Sequence, residues 1–313
     1  MKDNKNKTSI KIKRRDFFKS VGITVAGVAF GSKMLKCSPN KISHYDIMKE
    51  TMKYKKIDAH CHVLLHTRRL EEPIRFADRL KVDKMIISRP ITEGKSTPEE
   101  FRKSNDMMIE SVKKYPDRFI GQCFIDPTYQ KESLEEIDRC VDAGMVGLKV
   151  YTQVKINNPL FYPIVEKCIK LKMIILMHSF CQLGLGGYRM KYDIGILPNT
   201  SIPEDFVDIA SKYPEGMFQY AHIGGGSDWE YACKLLKDYK NVWFDTSGSN
   251  NEEYIIDFAV KTVGEDRLFF GSDNSYYQSI GKVFASNLNE TQKKKLFFDN
   301  YNNILRKAGR DVS

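Results

Sequence analysis

The sequence predicts an α/β chain folded as a single-domain (β/α)8 barrel, and three observations carry that expectation. Beyond residue 54, eight short runs rich in Ile, Val, Leu, Phe, Met and Tyr occur at 56–61, 84–89, 119–125, 146–151, 173–178, 217–222, 242–247 and 268–272. They lack the in-out alternation of a half-exposed strand, as expected for parallel strands covered on both faces. Longer amphipathic stretches separate them, and eight strand-helix units over about 250 residues match a closed barrel. An open doubly wound sheet is the alternative that the same alternation allows.

The helical pattern is read in order over Pro98 to Lys114, Ser133 to Ala143, Pro159 to Leu171, Pro203 to Tyr213, Ser227 to Tyr239 and Glu252 to Val263. Pro98, Pro159 and Pro203 stand at the starts, where a missing backbone N–H leaves no bond unmade. Asn289 to Ala308 predicts a final helix. The barrel is therefore expected over residues 54–308, with no internal repeat and no second domain.

A chain of 313 residues with 42% hydrophobic and 12% aromatic content can bury a full core. Its net charge of +10 is unevenly placed. Residues 1–50 hold 12 Lys/Arg and 4 Asp/Glu, which leaves 38 basic and 36 acidic residues for the rest. The body is nearly neutral, so nucleic acid and anionic membrane surfaces are not its expected partners. Residues 1–45 read as a leader, polar and basic to Arg15 and mildly apolar from Ser20 to Phe30. Lys13-Arg14-Arg15-Asp16-Phe17-Phe18-Lys19 resembles a twin-arginine signal, which implies the twin-arginine export machinery as a partner. The expected location is the periplasm, or the outer side of the inner membrane if the chain is anchored. Met34-Leu35-Lys36-Cys37 resembles a lipoprotein box with Lys36 where a small residue belongs, so a lipid anchor at Cys37 competes with cleavage near Ala29-Phe30-Gly31. The seven cysteines include no C-x-x-C pair and predict no disulfide framework.

The first apolar run ends in His60-Cys61-His62. Residues i and i+2 of a strand share a face, so both imidazoles project together and Cys61 points the other way, into packing. Of six histidines, His60, His62, His178 and His222 all close apolar runs; Lys149 closes another, and Asp273 a further one. In a barrel those strand ends converge on one mouth. Imidazoles and a carboxylate gathered there are the donor set of a divalent metal site.

These residues resemble the amidohydrolase superfamily, within the branch that includes relatives of aminocarboxymuconate-semialdehyde decarboxylase. The marks are Asp58-Ala59-His60-Cys61-His62, Gly147-Leu148-Lys149-Val150-Tyr151, Met177-His178-Ser179, Ala221-His222-Ile223-Gly224-Gly225 and Phe270-Gly271-Ser272-Asp273. The resemblance, from about Lys55 to Leu305, implies that His60, His62, His178 and Asp273 hold one divalent ion. Zn²⁺ is the expected ion, with Mn²⁺ or Fe²⁺ as alternatives. It also implies that Asp273 acts as general base and that His222 protonates the substrate or orients a polarised oxygen. Lys149 is expected either to meet an anionic substrate or, carbamylated, to bridge to a second ion. Arg68 or Arg69 would clamp a substrate carboxylate, and Asp245 would support the site from behind. Tyr188, Tyr192, Tyr276 and Tyr277 are expected in mouth-side loops, and a homodimer, a state in which relatives are often found, is one expected assembly.

The leading expectation is hydrolysis of an amide or lactone bond of a small molecule by metal-activated water. The alternative is non-oxidative decarboxylation of an unsaturated or aromatic acid on the same site. A catalytically silent exported binding barrel is the third reading, and the intact ligand set argues against it.

Overall fold

The computed structural model describes residues 45–65, 69–92, 94–180, 199–223, 229–248, 250 and 252–313. Residues 1–44 of the leader, with the twin-arginine motif and Cys37, therefore lie outside the described residues. Eight parallel strands run β1 (Ile57–His62), β2 (Lys84–Ser88), β3 (Phe119–Phe124), β4 (Gly147–Val150), β5 (Ile174–Met177), β6 (Phe218–Tyr220), β7 (Val242–Asp245) and β8 (Leu268–Phe269). Each pairs with the next in sequence. The Ala59 N–H donates to Phe270 O at 2.8 Å and the Asp273 N–H to His60 O at 2.7 Å, which draws the last strand against the first. The expected barrel is the fold, and the open-sheet alternative falls.

The helices form where the pattern places them, and their starts are chemically marked. Helix α1 (Ile47–Thr51) begins on Asp46, whose carboxylate accepts two backbone N–H groups. Helix α3 (Pro98–Lys114) opens with Pro98 behind a Thr97/Glu100 capping box, which satisfies two otherwise orphaned donors. Helices α4 (Gln130–Asp142), α5 (Tyr162–Leu171), α6 (Pro203–Lys212), α7 (Trp229–Leu236) and α8 (Ile255–Val263) follow in register with the expectation. The final helix is real but interrupted: α10 (Glu290–Lys294) passes through a π-helical turn at Lys295–Asp299 into α11 (Asn300–Lys307).

Three of the described helices were not read from the sequence, the short α1, α2 (Glu71–Leu80) and α9 (Tyr276–Ala285). Helix α9 carries Gly281 in its interior and starts on two tyrosines, both poor helix formers, so tertiary packing decides it. Tyr276 and Tyr277 are thus helical, not loop residues. Tyr276 is buried with its hydroxyl 3.4 Å from Cys61 Sγ, while Tyr277 is exposed.

Side-chain period divides the barrel into shells. Outward-facing Ile87, Cys123, Leu148, Ile175, Phe244 and Leu268 pack in the large core cluster that includes the helices. Inward-facing Ile57, Ile86, Ile120, Ile174 and Phe269 fill the floor, closed by Phe298, Tyr301, Ile304 and Leu305. One pleat higher, the buried inward residues become polar: Gln122, Lys149, Gln219 and Asp245. Among the described residues no helix is long and apolar enough to cross a membrane.

Candidate metal centre

A bulge in β1 between Asp58 and Cys61 turns His60 and His62 towards the mouth. His60 Nδ1 lies 3.0 Å from Asp245 Oδ2 at the end of β7. His62 Nδ1 lies 3.2 Å from the carbonyl oxygen of Ser88 at the end of β2. Both acceptors place the imidazole proton on Nδ1 and leave Nε2 with a lone pair. The two Nε2 atoms then face each other at 3.2 Å. Asp273 Oδ1 stands 3.3 Å from His62 Nε2 and 3.8 Å from His60 Nε2.

Two lone pairs and a carboxylate oxygen at such range repel unless a cation joins them; the Lys149 ammonium meets the His60 one at 3.1 Å, and a divalent ion would join all three. The donor set is therefore one that a divalent ion fits. His60, His62 and Asp273 form such a group, and His60, His222 and Asp245 form a second one that is already tied internally by hydrogen bonds.

The other expected residues line the same space. A cavity of about 280 Å³ is bounded by His62, Lys149, Tyr151, His178, His222 and Asp273 among others. His178 follows β5, stacks on Tyr151 with ring centroids 4.2 Å apart, and turns Nδ1 to 3.0 Å from His222 Nε2. Lys149 Nζ, on β4, lies 3.1 Å from His60 Nε2. Arg69 is exposed and outside the described lining of this cavity, while Arg68, Tyr188 and Tyr192 lie outside the described residues.

The sequence placed His222 and Asp273 at strand ends, but each stands beyond the paired residues of its strand. Both take left-handed backbone, with φ of 65° and 45°, as does Asn274 at 65°. Such conformations are strained for residues with a Cβ and persist where the surroundings over-determine them. Here Asn274 supplies that determination. Its Oδ1 accepts the His62 N–H at 3.0 Å and its Nδ2 donates to His62 O at 2.8 Å. Asp58 adds a second tie by accepting the Ser272 N–H at 2.9 Å.

Charge follows from burial. Burial pushes the His62 imidazole down to about 3 and the His222 imidazole to about 4, so both stay neutral. His178 is pushed well below the usual histidine range by burial and by neighbouring His222. Burial alone would raise Asp273, yet His60, His62, His222 and Lys149 hold its carboxyl well below the usual range. The Lys149 ammonium falls to about 8 through burial, opposed by Asp273 and Asp245. Neutral imidazoles beside an ionised carboxylate are the protonation states a metal needs.

Sequence reasoning missed Ser88, Gln219, Ser247 and Asn274. Ser88 pairs with His62 from the neighbouring strand, and Gln219, Ser247 and Asn274 stand within three residues of His222, Asp245 and Asp273; only the folded chain shows which of many serines and amides do so.

Residues 57–300 match the amidohydrolase family. Among curated proteins, the chain is 23% identical over 222 residues to 2-amino-3-carboxymuconate-6-semialdehyde decarboxylase of Dictyostelium discoideum, covering 61% of this chain and 60% of that enzyme. It is 23% identical over 281 residues to gamma-resorcylate decarboxylase of Polaromonas sp., covering 74% and 86% of the two chains. Among solved structures, a dihydroxybenzoic acid decarboxylase from Polaromonas sp., with bound manganese and the inhibitor 2-nitroresorcinol, superposes with TM-score 0.64 at 19% identity, over 81% of this chain and 97% of that one. With a family match that spans most of the barrel, this chain belongs to the amidohydrolase family.

Proposed function

We propose that the chain is a metal-dependent carboxy-lyase that removes CO₂ from a small unsaturated or aromatic acid. The observation that carries this reading is the cavity itself. Its volume of about 280 Å³ suits a single-ring acid, and it sets the Lys149 cation beside the His/Asp cluster. Both curated relatives named above are decarboxylases, which supports this reading over the hydrolysis expected first.

His60, His62, His178 and Asp273 would hold the ion, and Mn²⁺ and Zn²⁺ both suit that donor set. A divalent ion supplies Lewis-acid stabilisation of substrate oxygens and a fixed orientation for them. Lys149 meets the substrate carboxylate as a cation. Neutral His222 lines the cavity, and once its Nε2 parts from His178 it accepts a proton from a substrate hydroxyl or solvent and delivers it to the carbon as the C–C bond breaks and CO₂ leaves. Protonation at that carbon replaces the departing carboxylate, so no oxidant is required.

The test incubates the full chain, loaded with Mn²⁺ or Zn²⁺, with 2,6-dihydroxybenzoate and related hydroxybenzoates while CO₂ release is measured. Chelator-sensitive CO₂ release is the expected result. Hydrolysis of amides or lactones with no CO₂ from any acid would return the enzyme to the hydrolytic reading. Export is a separate proposal, supported by Arg14 and Arg15 in the leader. Cell fractionation of the Arg14→Lys/Arg15→Lys chain should show it retained in the cytoplasm.

A further inference from the structure

Behind the cavity, one buried carboxylate touches two histidines, directly or through a serine. Asp245 Oδ2 faces His60 Nδ1 at 3.0 Å and accepts from Gln219 Nε2 at 2.9 Å. Asp245 Oδ1 accepts the His222 N–H at 3.2 Å, the Ser247 N–H at 3.1 Å and the Ser247 hydroxyl. The two backbone N–H groups can only donate, which makes Oδ1 an acceptor, and the Gln219 amide nitrogen, which also donates to Ala59 O at 3.3 Å, makes Oδ2 one. Gln219, Asp245 and Ser247 are fully buried, which leaves bulk water no part in the arrangement.

Proton counting then runs outward from Asp245. Ser247 has a single hydroxyl proton, and it goes to Asp245 Oδ1. Ser247 Oγ is also 2.9 Å from His222 Nδ1, so there it accepts and His222 carries its proton on Nδ1. His222 Nε2 is left with a lone pair, and it faces His178 Nδ1 at 3.0 Å. His178 in turn must carry its proton on Nδ1, which frees Nε2. His60, bonded directly to Asp245 Oδ2, is left with its Nε2 lone pair by the same logic.

We propose that Ser247 is a positioning residue: through its one hydroxyl, Asp245 sets the tautomers of His222 and His178 as well as that of His60. One carboxylate thereby presents two ligand nitrogens unprotonated, those of His60 and His178, and leaves the His222 Nε2 lone pair to accept from His178. The inference rests on the metal-ligand reading for its function, but the tautomers themselves are properties of the metal-free chain. Outer partners of this kind typically change metal affinity by about 10- to 100-fold.

The test is imidazole ¹⁵N NMR on the full chain, metal-free, for wild type, Ser247→Ala and Ser247→Thr, with Mn²⁺ affinity measured alongside. Wild type should show His60, His178 and His222 protonated on Nδ1. Ser247→Ala should release His222 and His178 into mixed tautomers while His60 keeps its own, and Mn²⁺ affinity should fall by about tenfold. Ser247→Thr, which retains the hydroxyl, should restore both. A wild-type His222 protonated on Nε2, or tautomers unchanged in Ser247→Ala, would overturn the proposal. The tautomers as stated in a wild-type chain that binds no metal would instead overturn the ligand reading and leave the role of Ser247 standing.

Discussion

The floor and the mouth of the barrel are built from the same strands and hold opposite kinds of group. At the floor, Ile57, Ile86, Ile120, Ile174 and Phe269 meet Tyr301, Ile304 and Leu305 from α11. Each such side chain contributes roughly 1.5–3 kcal/mol by leaving water, and nothing there requires a specific partner. At the mouth, His60, His62, Lys149 and Asp245 are equally buried, and burial of polar groups is unfavourable unless every one is paired. Stability resides at one end and chemistry at the other, separated by a pleat or two. The transition layer is Gln122, whose Nε2 donates to Tyr301 from the floor at 3.2 Å, and Gln219, which serves Asp245 in the mouth.

The largest expected effect sharpens that contrast from above. His62→Ala removes a nitrogen 3.3 Å from Asp273 Oδ1, so metal affinity should fall by more than about a hundredfold, with CO₂ release lost in step. Its thermal midpoint in the metal-free state should stay within about 4 °C of wild type. Elemental analysis with calorimetry checks both, and a retained ion with normal turnover would break the division. The converse change is Phe269→Ala, which opens a void in the floor and should destabilise the chain by about 3–5 kcal/mol in urea titration. Turnover per folded molecule should remain; a matching loss of kcat would show that the floor positions the ligands after all.

Tyr301→Phe probes the transition layer. It leaves the buried Gln122 Nε2 donor without its acceptor, for an expected loss of about 1–3 kcal/mol and no change in metal content. The last effect is a pH dependence that concerns a buried cation ahead of β1. Lys56 Nζ, ahead of β1, donates to Thr51 O and Tyr54 O over the Phe297 ring, and burial lowers its ammonium to about 7. Between about 7 and the ordinary value of 10.5 the unfolded chain binds more protons than the folded one. Stability should therefore rise with pH through that window, by at most about 1.4 kcal/mol per pH unit. Lys56→Met should flatten the rise, and parallel pH profiles for the two proteins would exclude this origin.

Much of this was readable in the chain. All eight apolar runs became strands, and His60, His62, His178, His222, Lys149 and Asp273 do gather at one mouth. Helix α9 was not readable, because Tyr276, Tyr277 and Gly281 favour it only when packed against the barrel. Nor were the left-handed turns at His222 and Asp273, whose strain is sustained by Asn274, Asp58 and Asp245 from elsewhere in the fold.

By itself the sequence determined the barrel, the floor and the list of metal-ligand candidates, because hydrophobic period and residue type are local and need no partner to be read. Only the tertiary structure decided the protonation and aim of those candidates. A tautomer is set by whichever acceptor the other ring nitrogen meets, and for His60 and His222 that acceptor lies at or just past the end of β7: Asp245 is 185 residues away from His60, and Ser247 is 25 from His222.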